Sequence, residues 1–364
     1  MPFRSLPRVI ALGTLAGAGG AGGKGCGLKR ATIADVARRA GVTKAAVSFA
    51  LNGQPGVSAA TRQRILAIAQ EVGFQPSSAA RALSDGRAGA FGFVLDRPAR
   101  LLGVEPYFMQ LISGIQAELS QNHVTLLFTV AEDQDAEIAM YRAWWAQRQV
   151  DGVFLVDLRV DDHRVAVLEE LGMPAVVIGT PRGSGSLPAV WQDDRAGTDA
   201  VIGYLAGLGH RKIARITGIA GYWHTQARTG AFYEVARVAG LEAVSVEGDY
   251  TGEYGAMATR ALLEDGAPPT AILYDNDVMA VAGLGEAQRM GVDVPGDLSI
   301  VAWDDSVLCE LVHPALTALR RDIAAVGAEA ARRLRKAATG VPVGDFLEAV
   351  PVLTVRDSTG KPRA

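Results

Sequence analysis

Polar side chains recur directly behind apolar runs in the later part of this chain. Asp157 follows DGVFLV, Asn276 and Asp277 follow TAILYD, Asp304 and Asp305 follow LSIVAW, and Arg228 opens RTGAF after KIARITG. Carboxylate, amide and guanidinium groups gathered around a cleft can hydrogen-bond several hydroxyls at once. Trp303, Trp223, Tyr107 and Phe108 offer aromatic faces that could stack on the apolar face of a ring. A structural role competes at each position, because Asp at strand ends caps helices and aromatics fill cores.

Catalytic and metal chemistry find no such pattern. His123, His163, His210, His224 and His313 are scattered, without a metal spacing such as H-E-x-x-H. No G-x-S-x-G elbow is present. GIAGY at Gly218 follows a strand-like run but lacks both G-x-G-x-x-G and a Walker Lys. Asp304 and Asp305 are adjacent, so they cannot by themselves flank a substrate bond. The expectation is no enzyme, no catalytic residue, no metal and no cofactor.

The elements that must hold these residues are strands alternating with helices. From Phe91, short apolar runs (FGFVL, VTLLFTV, DGVFLV, PAVVIG, AVWQD, KIARITG, TAILYD, LSIVAWD) alternate with helical stretches. Those stretches are 106–122, 135–149, 161–171, 195–208, 224–239, 255–264 and 277–290. The alternation predicts parallel sheets with covered faces, and eight such strands make one large sheet or two smaller ones. Ligands of open α/β sheets bind beyond the carboxyl ends of the strands, where the polar residues fall. The 322–338 stretch is an amphipathic helix, and no heptad run follows Asp357.

A different pattern precedes this. ATIADVARRAGVTKAAVSFALN, residues 31–52, reads as two short helices joined at Gly41. Thr32 and Thr43 stand where N-caps belong. Val36, Ala37 and Ala40 form one inner stripe, with Val47 and Ala50 facing it. That leaves Lys44, Ala45, Ser48 and Phe49 outward on the second helix, the element that enters a DNA major groove when so held. Asn52-Gly53 and Pro55-Gly56 make a turn, Ser58 caps a third helix bearing Ile65, Ile68, Ala69 and Val72, and Gly73 stops it. FQPSSAARALSDG then supplies Pro76, a cap at Ser77 or Ser78, and a short helix with Arg81 and Leu83.

The run from Ala31 to Gly86 resembles the headpiece and hinge of the lactose-repressor/galactose-repressor (LacI/GalR) family of bacterial transcription regulators. TIADVARRAGV, AAVSFALNG, VSAATRQRI and PSSAARAL carry the likeness, in order and without gaps. The later chain resembles the family's periplasmic-binding-protein-like core. The resemblance implies a small all-α helix-turn-helix headpiece followed by two Rossmann-like α/β subdomains with parallel sheets and a ligand cleft between them. It implies base reading by Lys44, Ala45 and Ser48, with Thr43 and Asn52 beside them. Phosphate contacts fall to Arg62 and Arg81, assisted by the helix N-termini at Thr32, Ser58 and Ser77. Leu83 matches the family leucine that wedges into the minor groove. Phe49 departs from the basic residue many members carry there. Arg228, Asn276 and Asp304 fall at family effector positions; Asp157, Trp303, Tyr107 and Phe108 are further effector candidates. The implied partners are palindromic double-stranded DNA, a small sugar-like effector (alternatively a purine or another metabolite) and a second copy of the chain. A receptor or enzyme of the same core fold would lack the headpiece.

Composition agrees with that division. Residues 28–90 carry nine Lys/Arg against three Asp/Glu, and residues 1–27 carry three Lys/Arg and no acid, so within a total charge of −3 the remaining chain holds −12. A basic end on an acidic body suits an end that touches phosphate. No stretch is long enough for a membrane helix, and only Cys26 and Cys309 are present, which suits a reducing cytoplasm. Residues 1–27 superficially resemble a secretory signal, but a DNA-reading segment follows at once, so they read as a flexible Gly-rich extension. The expected organisation is 1–27 extension, 28–76 headpiece, 77–90 hinge and linker, and 91–364 effector-binding and dimerisation core.

Overall fold

The computed structural model describes residues 31–51, 53–74, 87–97 and 102–363. The chain divides between residues 77 and 78 into two compact units.

Among the described residues the first unit holds three helices, α1 (Ile33–Ala40), α2 (Lys44–Leu51) and α3 (Ala59–Glu71). Helices this short do not persist alone in water, so caps and packing must hold them. Thr32 and Asp35 form a reciprocal capping box, the Asp35 carboxylate accepting from the Thr32 N–H at 3.0 Å. Gly41 ends α1 at φ 64, in the left-handed region where a side chain is strained. Thr43 accepts from Ala46 N–H and Ser58 from Thr61 N–H, both at 3.2 Å. Each such cap stabilises a helix by about 1 kcal/mol. Val36, Ala37, Ala40, Val47, Ala50, Ile65 and Ala69 close one core between the helices.

The second unit begins with β1 (Ala90–Asp96), α4 (Pro106–Gln121), β2 (Thr125–Ala131), α5 (Gln134–Ala146), β3 (Val153–Val156), α6 (His163–Leu171), β4 (Ala175–Ile178) and β5 (Ala189–Trp191). It continues with α7 (Asp194–Leu208), β6 (Lys212–Ile216), α8 (Trp223–Val238), β7 (Glu242–Val246), α9 (Gly252–Leu263), β8 (Ala271–Tyr274), α10 (Asp277–Arg289), β9 (Ser299–Trp303), α11 (Val307–Leu311) and β10 (Thr317–Arg320). It ends with α12 (Ile323–Ala338), β11 (Phe346–Leu347) and β12 (Val352–Thr354). Two six-stranded sheets result, ordered β11-β5-β4-β3-β1-β2 and β12-β10-β9-β8-β6-β7. All pairings are parallel except β10 with β12. The chain passes between the sheets three times: after β5, after β10, and between β11 and β12.

The described residues hold twelve strands where the apolar runs gave eight. The four additional strands are β7, partly exposed at a sheet edge, and the short β10, β11 and β12. β7 at the edge and the two- and three-residue β11 and β12 bury too little to show as apolar runs. β10 is buried at three of its four residues, but Thr317 and Arg320 flank only Ala318 and Leu319. Two glycines set the packing that places α4. A Cβ on Gly114 would lie 1.9 Å from the Ala324 carbonyl oxygen, and one on Gly327 would lie 2.3 Å from that of Leu111. Backbone therefore meets backbone where α4 crosses α12, and α4 is fixed with Tyr107 and Phe108 at its start.

Candidate functional site

The carboxyl ends of the two sheets face a narrow cleft with a cavity volume of about 80 Å³, lined by residues of both subdomains. Asp157, one residue past β3, and Asp304, one residue past β9, both adopt positive φ (51° and 69°). A non-glycine residue held there costs energy that the surroundings must offset, and such positions cluster at ligand sites. Each carboxylate has its own guanidinium. Arg97, just past β1, donates to Asp157 through Nε at 3.0 Å and Nη2 at 2.8 Å. Arg321, in the passage from β10 to α12, donates through Nε to Asp304 at 2.6 Å.

Arg228, on α8, lies with Nε 3.2 Å from Asp194 Oδ1, and its guanidinium carbon sits 4.3 Å from the centre of the Trp303 ring. Beneath the cleft, Arg215 holds Asp275 through Nε at 2.7 Å and Nη2 at 2.6 Å, and Asp275 also accepts from Gly218 N–H at 2.9 Å. Asn276 caps α10 by accepting from Met279 N–H at 2.8 Å and donates to the Tyr250 carbonyl at 3.0 Å. Arg97 is walled by aromatic faces, its guanidinium 4.8 Å from the ring centre of Tyr250, 5.3 Å from Tyr222 and 5.6 Å from Phe108.

Burial and these charges set the protonation states. Burial pushes the Glu105 carboxyl up to about 7, against the pull of Arg97 and with the repulsion of Asp157, Asp304 and Asp277. Burial opposes ionisation of Asp157 too, but the adjacent Arg97 wins and holds its carboxyl below the usual range. Burial, reinforced by Arg228, pushes His224 down to about 4 and keeps it neutral, with Nε2 2.7 Å from the Tyr250 hydroxyl. Burial raises the Tyr107 phenol to about 12. Among the described residues, Arg97 Nη1 and Gln192 Nε2 are buried donors without a hydrogen-bond acceptor. Buried donors left unsatisfied are costly, so a ligand that supplies oxygen acceptors gains by entering.

Six of the residues singled out by sequence, Asp157, Arg228, Asn276, Asp304, Tyr107 and Phe108, line this one cleft. Trp303 does not. It is fully buried, and Arg228 covers its ring, so it cannot stack on a ligand; it supports Arg228 instead. Trp223 is likewise not in the lining and packs under Arg182, 4.5 Å from its guanidinium carbon. Asp305 turns away to Arg356. Sequence reasoning missed Arg97, Glu105, Gln192, Asp194, His224, Tyr250 and Arg321. Arg97 carries the same signal as Asp157 and Asp304, a charged residue directly after an apolar strand, whereas Arg321 follows β10, which shows no apolar run.

In the first unit, Lys44 and Ala45 are exposed on α2 and Ser48 is half-buried. The Phe49 ring rests on the turn after α2, 3.2 Å from where a Cβ on Gly56 would lie. Arg62 donates to the Gln54 carbonyl, tying α3 to the same turn. Thr32, Thr43 and Ser58 are caps, which leaves the helix N-termini they close as the local source of positive potential. Asn52, Ser77, Arg81 and Leu83, with the extension and the hinge helix, lie outside the described residues. Among the described residues no helix is long and apolar enough to cross a membrane.

Comparison with known proteins matches both units. The family model for bacterial regulatory proteins of the lacI family covers residues 32–77, and that for a periplasmic binding protein-like domain covers residues 202–359. The HTH-type transcriptional regulator MalR of Streptomyces coelicolor is 32% identical over 341 residues, 90% of this chain and 96% of that protein. The crystal structure of the lac repressor dimer bound to operator and the anti-inducer ONPF has a TM-score of 0.81 at 25% identity, covering 91% of this chain and all of the other. The complex of the regulator CelR with cellobiose has a TM-score of 0.69 at 29% identity, covering 90% of this chain and all of the other.

Proposed function

Since the chain belongs to the lacI family of bacterial regulatory proteins and is a DNA-binding transcriptional regulator, we propose that it is a repressor of carbohydrate-utilisation genes, released by a small sugar-like effector bound in the cleft. The observation that carries this is the convergence of Asp157, Arg228, Asn276 and Asp304 from two sheets onto one cleft that also holds buried donors without acceptors. A polyhydroxylated ring supplies both the hydroxyl donors that carboxylates take and the oxygens that guanidinium N–H groups need. Asn276 keeps one amide N–H for this after capping α10. Tyr107 and Phe108 give the ring an apolar wall.

On the DNA side, the chain binds as a homodimer to a palindrome. Lys44 donates to a guanine edge, Ala45 offers apolar contact and Ser48 a hydroxyl. Arg81 and the N-termini of α1 and α3 take phosphates. Arg62, engaged with Gln54, stiffens the turn as well as offering charge. Leu83 wedges into the minor groove at the dyad, where two hinge segments meet. A ligand that bridges the sheets binds one closure state better than the other and so shifts the population that fits the operator.

A thermal-shift screen with sugars and nucleobases, followed by gel shifts on DNA from upstream of the protein's own gene, tests this. The expected result is stabilisation by a sugar and release of the DNA by that same sugar. Stabilisation by nucleobases alone, or a stabilising sugar without effect on the DNA complex, contradicts it.

A further inference from the structure

We propose that the cleft selects an uncharged polyhydroxylated ligand and excludes its phosphorylated and carboxylated derivatives, with Glu105 as the residue that sets this preference. The inference rests on the ligand reading above and sharpens it.

Three arginines could make the cleft look like an anion site. Each is already compensated among the described residues. Arg97 is 2.8 Å from Asp157, Arg228 is 3.2 Å from Asp194, and Arg321 is 2.6 Å from Asp304. Arg215 beneath them is spent on Asp275. What remains for a ligand is directional donor capacity rather than charge. Arg97 offers Nη1 and the second hydrogen of Nη2 after its side-on contact with Asp157, whereas Arg228 Nε faces Asp194 at 3.2 Å. An anion held there meets no uncompensated cation, because Asp157 already matches the charge of Arg97. The rings of Phe108, Tyr222 and Tyr250 around it hold its plane where it is.

Glu105 completes the case. It occupies the N-cap position of α4, yet its side chain makes no capping hydrogen bond. It lines the cleft at 8% exposure and has no ion-pair or hydrogen-bond partner among the described residues. A carboxyl so placed can accept from a ligand hydroxyl. Toward an anion it is repulsive, in a site too dry to screen the repulsion. The cleft thus offers paired cations and one unmatched carboxyl, a surplus of negative character that a neutral polyol tolerates and a phosphate ester does not.

Glucose, maltose and cellobiose, each beside its phosphate ester, together with glucuronate, serve as probes in thermal-shift and calorimetric titrations near pH 8. At least one neutral sugar should bind, with its phosphate ester weaker by at least about tenfold, since the ester juxtaposes like charges. Glu105→Gln should fold, as its melting curve without ligand will report, and should shrink that discrimination by at least about threefold. A phosphate ester or glucuronate binding as tightly as the matching neutral sugar overturns the inference. So does a folded Glu105→Gln protein whose discrimination is unchanged. If neither series shifts the melting curve, the sugar-binding function itself fails and this inference with it.

Discussion

In the headpiece, Lys44 and Ala45 stand in water on a helix placed by caps that reach three residues along the chain. In the cleft, Arg97, Arg228 and Asp304 are buried, and the pairs Arg97–Asp157 and Arg215–Asp275 each join residues 60 positions apart. The first arrangement suits a partner met at its charged surface. Exposed cations release counterions from DNA, so affinity should fall by about 0.9 log unit per log unit of salt for each phosphate neutralised. The second suits a ligand taken out of water, where a misplaced charge is penalised and a well-placed hydroxyl is rewarded. On this reading the chain carries a salt-sensitive surface and a charge-discriminating cleft, and side chains of either can be changed without changing those of the other.

The largest effect should come from the cleft floor. Arg215→Met strands the Asp275 carboxylate, and breaking a buried pair in this way costs about 3–5 kcal/mol. Urea unfolding followed by circular dichroism should show that loss in the core transition; a change under about 1 kcal/mol would mean the pair is dispensable.

Next is the pH dependence of stability set by Glu105. Its folded value of about 7 lies above its ordinary 4.5, so the folded state holds the proton more tightly. Stability is therefore lost as pH rises from about 4.5 to about 7, and the loss is complete above that range. Glu105→Gln removes the cost. The variant should be more stable than the parent at alkaline pH, by roughly 1–3 kcal/mol, and equal to it in acid. Asp277, which burial raises to about 6, titrates in both proteins, and only its repulsion with Glu105 is lost in the variant. Parallel stability profiles for the two proteins would contradict the placement of Glu105.

On the exposed side, Lys44→Ala should cost roughly 1–3 kcal/mol on the preferred operator and relax preference at one symmetric pair of positions. An equal loss on every DNA sequence would reduce Lys44 to a phosphate contact. The smallest effect belongs to Thr32→Ala, which opens the capping box of α1 and should lower headpiece stability by about 1 kcal/mol. Calorimetry should show this in the headpiece transition alone.

The same contrast explains what could be read from the sequence. Thr32, Gly41, Thr43 and Ser58 announce the headpiece because caps and turns are decided within a few residues. Asp157, Asn276 and Asp304 were legible as strand-end residues, since parallel strands point their carboxyl ends at ligands. Their partners were not. Arg97 meets Asp157 only because β1 pairs with β3, and Arg321 meets Asp304 only because β10 pairs with β9. Trp303 misled because an aromatic at a strand end looks the same whether it faces the cleft or the core; its position under Arg228 decides that. The strands β11 and β12 were invisible because they bury almost nothing of their own.

The most direct test of the account joins its two halves. Labelled DNA from upstream of the protein's own gene is titrated by fluorescence anisotropy, with and without a saturating sugar that stabilises the core, for the parent and for Asp304→Ala and Asp304→Asn. The sugar should shift the parent's DNA affinity, and by linkage DNA should shift its sugar affinity by the same factor. The two variants should bind DNA as the parent does and ignore the sugar. Variants that still release DNA at the parent's sugar concentration would contradict the claim that the cleft at Asp304 governs the DNA-binding end.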